Sequence, residues 1–113
     1  MISGVGIDLV KINRFSIGDQ SFINKILSSN ELILLADRKS ERRKLEFIAG
    51  RFAAKEAFLK ALGVGIGPIP FKTIEVLADE NGKPYIKDDD YNVNLSITHT
   101  ETDACAFIVL EKK

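Results

Sequence analysis

From Ile2 to Val10 large apolar residues alternate with small or polar ones. Val5, Ile7 and Leu9 fall on one side and Gly4, Gly6 and Asp8 on the other, a period of two that predicts a strand whose Val5-Ile7-Leu9 side packs. Between residues 13 and 38 the apolar positions recur at helical spacing, through Phe22, Ile23, Ile26 and Leu27 and again through Leu32, Ile33 and Leu35. The polar run Ser28-Ser29-Asn30 divides this stretch into two short helices, with Asn30 as the expected N-cap. A long helix is predicted over about 40–62, opened by Ser40 and stopped by Gly63. Repeated Gly and two prolines make 63–70 a loop. Strands follow at 73–78 and 84–87 around Asn81-Gly82, and at 93–99 and 104–110 around the polar run 100–103. One strand, then helices, then two hairpins, with no repeat or linker, predicts an α+β fold in a single domain spanning residues 1–113.

The long helix breaks its own pattern. Leu45, Ile48, Ala49, Phe52 and Leu59 form one apolar stripe, and Glu56 falls in its middle. An unpaired buried carboxylate is disfavoured by several kcal/mol, so Glu56 needs a cation or a strong donor beside it; the plainer alternative is a partly exposed Glu paired with Lys60 one turn on. Phe47, Ala54, Phe58, Ala61 and Leu62 make the opposite side apolar as well, so the helix has two surfaces to bury. One can face the sheet, and the other either meets a second subunit or packs under residues 20–36.

Asp8 is a second carboxylate in an apolar setting, beside glycines that permit close approach of a backbone or ligand. Two such carboxylates from distant segments suit Mg²⁺, which takes one or two carboxylates and leaves its other positions to water and phosphate oxygens. Arg51, Lys55, Lys60 and His99 could supply the charge for a polyphosphate. His99 ends a strand on the side of Leu95 and Ile97, and Thr98 and Thr100 add hydroxyls beside it. The Gly63-to-Gly67 run lacks the Walker lysine and follows a helix, so it reads as a helix stop rather than a phosphate loop.

Charge and composition narrow the remaining classes. Sixteen basic residues balance sixteen acidic ones, which removes the global field that nucleic acid or an anionic membrane would require. The apolar runs are shorter than the roughly twenty residues a bilayer needs, and no basic segment leads into an apolar signal region, so the expected location is the cytoplasm. A single Cys105 and a single His99 exclude a disulfide and a His/Cys metal cluster within the chain, and Cys105 reads as a small buried side chain.

Three segments together resemble the bacterial holo-acyl-carrier-protein synthases, the small 4′-phosphopantetheinyl transferases, essentially end to end. They are Gly6-Ile7-Asp8 followed by Arg14, the run from Phe47 through Arg51-Phe52-Ala53-Ala54-Lys55-Glu56-Ala57-Phe58 to Lys60 and Gly63, and Leu95-Ser96-Ile97-Thr98-His99-Thr100. The resemblance implies a long central helix packed on a mostly antiparallel sheet, and transfer of the phosphopantetheine arm of coenzyme A to a serine of apo-acyl carrier protein, with release of adenosine 3′,5′-bisphosphate, in fatty acid biosynthesis. By the same analogy Asp8 and Glu56 would hold Mg²⁺ against the pyrophosphate and Lys60 would contact the phosphate that is transferred or released. Arg51, Thr98, His99 and Thr100 would lie near the nucleotide phosphates. The serine proton would go either to Glu56 or to a metal-bound water, and a carboxylate engaged with Mg²⁺ is the poorer acceptor.

The resemblance also implies a homotrimer with sites at subunit interfaces, and it gives Arg14 the acidic carrier protein to grip. Members often carry further basic residues just after this Arg, yet residues 15–24 hold none and include Asp19, Lys25 being the first. A catalytically silent coenzyme-A-binding scaffold of the same fold is the alternative, against which the retained Asp8, Glu56 and Lys60 argue. A nucleic-acid-binding domain is the weaker third reading, given the neutral charge.

Overall fold

The computed structural model describes residues 1–65 and 69–113; the part of the 63–70 loop at 66–68 lies outside the described residues. Strand β1 (Ile2–Lys11) leads through a short 3₁₀ turn into α1 (Gln20–Ile26) and α2 (Ser29–Ala36), then the long α3 (Glu41–Leu62). A second 3₁₀ turn at Phe71–Thr73 precedes a ribbon of β2 (Leu77–Ala78) and β3 (Pro84–Tyr85), and the chain ends in β4 (Tyr91–His99) and β5 (Asp103–Lys112). The main sheet is antiparallel in the order β1-β5-β4, with α3 lying across it.

Helix α3 begins and ends where its caps dictate. The Ser40 hydroxyl accepts from the Arg43 amide, and Gly63 closes the helix at φ 79° in the left-handed region. Its middle is buried on every side. Strand β1 can lie directly on it because of two glycines: a Cβ on Gly6 would fall 1.9 Å from the Ala57 carbonyl oxygen, and one on Gly4 would fall 2.0 Å from that of Ala61. Ala57 and Ala61, one turn apart, are the small residues that receive the strand.

That contact reverses the expected orientation of β1. Gly4, Gly6, Asp8 and Val10 face α3, while Val5, Ile7 and Leu9 point away and are 56%, 58% and 68% exposed. Close backbone packing outweighs side-chain size here, because a glycine can lie against a helix where no larger residue fits. Phe107, opposite Ile7 on β5, is 45% exposed on the same outer face, where Cys105 is also half-buried rather than buried. The second apolar side of α3 is covered within the chain, Phe47, Ala54, Phe58 and Ala61 all being buried. The unpartnered apolar surface is therefore on the sheet and not on the helix.

Three local expectations change. Ser28, not Asn30, caps α2, in a capping box with Glu31. Only Gly82 of the Asn81-Gly82 pair has positive φ; Asp79 accepts from the Asn81 and Lys83 amides, so the turn is one residue longer than a two-residue hairpin. The strands expected at 73–78 and 84–87 shorten to Leu77–Ala78 and Pro84–Tyr85.

Candidate active site

Asp8 on β1 and Lys60 on the last turn of α3 meet across the Gly6–Ala57 contact. The Lys60 ammonium donates to Asp8 Oδ1 at 3.0 Å and to the Ile7 carbonyl at 3.0 Å, a carbonyl left available because β1 is an edge strand. Asp8 is 12% exposed at its side chain, and its Oδ2 is buried with no hydrogen-bond partner among the described residues. Such an oxygen is unfavourable unless something outside the chain satisfies it.

Glu56 stands one turn before Lys60 but bonds neither Lys60 nor any other described group. It is half-buried at the rim of a cavity of about 500 Å³, with Asp8 and Arg14 on the same lining and Phe22, Phe52 and Phe71 on its walls. Desolvation raises its carboxyl above the ordinary range, the Asp8 charge adds to this, and Lys60 and Arg14 oppose it. Of the plainer alternative for Glu56, the partial exposure holds and the pairing does not, since Lys60 bonds Asp8 instead. Arg14 reaches the same rim with its guanidinium 4.8 Å above the Phe52 ring. Lys25, at the end of α1, completes the basic side of the cavity.

Arg51 and His99 belong to a different place. They line a cleft of about 300 Å³ with Arg38, Arg43 and Glu46. Arg51 lies over Phe47 at 4.1 Å and donates to the Val76 carbonyl at 3.3 Å. Burial, and then the neighbouring Arg38, bring its guanidinium down to about 10, still a full charge at neutral pH. His99 Nε2 is 3.5 Å from Glu46 Oε1, an oxygen of the carboxylate that also pairs with Arg42. The pairing register sets His99 opposite Ala104 and Ala104 opposite Val10, so this cleft and Asp8 lie at opposite edges of the sheet. Thr98 does not share the side of His99: it points to the outer sheet face. Thr100 sits in the β4–β5 turn, where its hydroxyl accepts from the Thr102 and Asp103 amides.

Lys55, a candidate for phosphate binding from sequence, is wholly buried. Its ammonium donates to Glu31 Oε1 at 2.6 Å, to the Phe71 carbonyl at 3.0 Å and to the Ile26 carbonyl. Its partner Glu31 is fully buried, and the only sign of it in the sequence is the Ser28-x-x-Glu31 box ahead of an apolar run. Arg38 and Arg43, which also line the cleft, flank the start of α3 with no sequence motif to mark them.

Residues 4–109 match the 4′-phosphopantetheinyl transferase superfamily, and the chain belongs to it. Its relatives include the holo-[acyl-carrier-protein] synthase of Enterococcus faecalis, 49% identical over all of both chains, and that of Oceanobacillus iheyensis, 47% identical over 100% of this chain and 99% of the other. Among solved structures it resembles the Bacillus anthracis holo-(acyl-carrier-protein) synthase in complex with CoA (3′,5′-ADP), with a TM-score of 0.91, 43% identity, and coverage of 100% of this chain and 99% of that one. The Helicobacter pylori holo-[acyl-carrier-protein] synthase, in complex with coenzyme A, aligns at a TM-score of 0.81 and 31% identity over 95% of this chain and 99% of that one.

Proposed function

We propose that this chain transfers the 4′-phosphopantetheine arm of coenzyme A to a serine hydroxyl of apo-acyl carrier protein, a cytoplasmic reaction that serves fatty acid biosynthesis. The observation that carries the reading is the rim itself: Asp8 with a buried, unpartnered oxygen, Glu56 beside it, and Lys60 bonded to Asp8, at the mouth of a mostly apolar cavity. Two carboxylates on one lining, one of them with an unsatisfied buried oxygen, fit Mg²⁺, which takes one or two carboxylates and leaves its other positions to water and phosphate oxygens. Asp8 and Glu56 would hold that ion, which when bound offsets charge on the pyrophosphate as its anhydride bond breaks.

The remaining work belongs to the chain's own residues. Lys60 uses two of its three N–H groups on Asp8 and Ile7, leaving one for an oxygen of the phosphate in transit. The serine oxygen forms a new bond to the phosphorus bearing the pantetheine arm, the bridging P–O bond breaks, and its electron pair leaves with adenosine 3′,5′-bisphosphate. The serine proton would go either to Glu56 or to a water whose pKa the bound ion would lower, and we favour the water, because a carboxylate engaged with a cation accepts protons poorly. Arg38, Arg43, Arg51 and His99 form a cationic cleft suited to the nucleotide phosphates, with Thr100 at its edge. Arg14 and Lys25 face the acidic carrier protein.

We infer further that the sites are completed between copies. The carboxylate rim and the cationic cleft lie at opposite edges of one sheet, so a nucleotide that engages both reaches them more directly from two chains. The exposed Val5, Ile7, Leu9 and Phe107 supply an apolar face for such assembly, and three copies is the number the resemblance implies. The test is release of adenosine 3′,5′-bisphosphate from coenzyme A. Release that requires both apo-carrier protein and Mg²⁺ supports the reading; release without carrier protein, or none at all, overturns it.

A further inference from the structure

Lys55 occupies an unusual position for a lysine. It lies within α3 immediately before Glu56, is 0% exposed, and has all three ammonium hydrogens engaged. Its acceptors come from three separate segments: the last carbonyl of α1 at Ile26, the carbonyl of Phe71, and Glu31 of α2. Glu31 extends the network, its Oε1 accepting from the Ser28 amide and its Oε2 from the Val76 amide, each at 2.9 Å. One buried ion pair thus joins α1, α2 and the 71–76 segment to the helix that carries Glu56.

Two of the tethered residues, Ile26 and Phe71, are walls of the cavity at whose rim Asp8 and Glu56 stand, and Lys25, beside Ile26, is part of its basic side. A buried ion pair is seldom the most stable way to fill its space, since apolar residues of similar volume often do as well or better. What the pair supplies that apolar residues do not is direction: an ammonium with three fixed acceptors sets where each segment lies.

Resting on the transfer reaction proposed above, we propose that Lys55 is a positioning residue for the carrier protein, holding α1 and the 71–76 segment at the spacing that presents Lys25 and the cavity walls to it. Lys55 does not touch substrate. Asp8 and Lys60 are brought together without it, by the close packing of β1 on α3.

The test compares the parent with Lys55→Met/Glu31→Gln, which removes both charges and so leaves no unpaired buried ion. KM for apo-acyl carrier protein is expected to rise roughly tenfold while KM for coenzyme A and kcat stay within about twofold of the parent. A merely structural role would lower kcat through loss of folded enzyme and leave KM for the carrier unchanged, and that result would overturn the proposal. Amide hydrogen exchange gives a readout that needs no activity. In the parent, the Ser28 and Val76 amides are expected to exchange as slowly as those in the centre of α3, and exchange more than about a hundredfold faster would overturn the proposal even if the double variant does not fold. A parent that protects these amides but modifies no carrier protein would overturn the transfer reaction instead, so the two failures are distinguishable.

Discussion

The Lys60 ammonium lies 3.0 Å from Asp8 Oδ1, while the other oxygen of that carboxylate is buried and unpaired among the described residues. A lysine therefore neutralises half of a carboxylate whose other half awaits a ligand. Replacing Asp8 with Asn keeps the shape and removes the charge. We expect Asp8→Asn to fold, to lose Mn²⁺ binding followed by electron paramagnetic resonance, and to lose transfer activity by about a thousandfold. Parental Mn²⁺ affinity in this variant would remove Asp8 from the metal site.

Glu56 gives a pH-dependent signature. Because burial raises its carboxyl, the folded protein binds this proton more tightly than the unfolded chain does. The associated stability is complete only below the unfolded pKa, about 4.3, and is lost as pH rises through the higher folded value. Without divalent cations, Glu56→Gln should therefore melt at a higher temperature than the parent at pH 7, with the gap closing towards pH 4. Adding Mg²⁺ should raise the Tm of the parent more than that of the variant. Identical melting at pH 7 without cations would show that ionised Glu56 carries no such penalty.

The approach of β1 to α3 leaves no room for a methyl group at Gly6, where it would lie 1.9 Å from a backbone oxygen. Gly6→Ala must separate the strand from the helix, with an expected loss of about 3 kcal/mol or more in urea unfolding. Gly18→Ala, whose Cβ would make only an ordinary contact at 3.7 Å with Ser16, should stay within about 0.5 kcal/mol of the parent. Equal stability of the two variants would contradict the packing described.

The outer sheet face is the surface proposed for assembly. Ile7→Glu places a charge at its centre, on a residue already 58% exposed in the single chain, so the fold should tolerate it. Sedimentation should find the parent as a trimer and Ile7→Glu as a folded monomer with little transfer activity. A fully active monomeric parent would contradict the shared-site proposal.

The sequence shows the frame well where local rules dominate. The α3 limits follow from Ser40 and Gly63, and the β4–β5 hairpin follows from clean alternation. Asp8 and Glu56 stand out because each interrupts an apolar pattern, and the structure does bring them to one rim. Periodicity could not tell which side of β1 faces inward, because the small side won through backbone contact with Ala57 and Ala61. Nor could it separate Lys55 from Lys60: two lysines five residues apart on one helix, the first buried against Glu31 and the second bonded to Asp8. Their partners lie 24 and 52 residues away, and only the tertiary fold connects them.

The most direct test is the mass of purified apo-acyl carrier protein after incubation with this protein, coenzyme A and Mg²⁺, beside a control with Asp8→Ala and Glu56→Ala. A gain of about 340 Da, the phosphopantetheine arm attached through the serine oxygen, is predicted with the parent and not with the control. No gain with any of several carrier proteins, in a preparation that binds coenzyme A, would contradict the transfer reaction and leave a coenzyme-A-binding protein of this fold without the activity proposed for it.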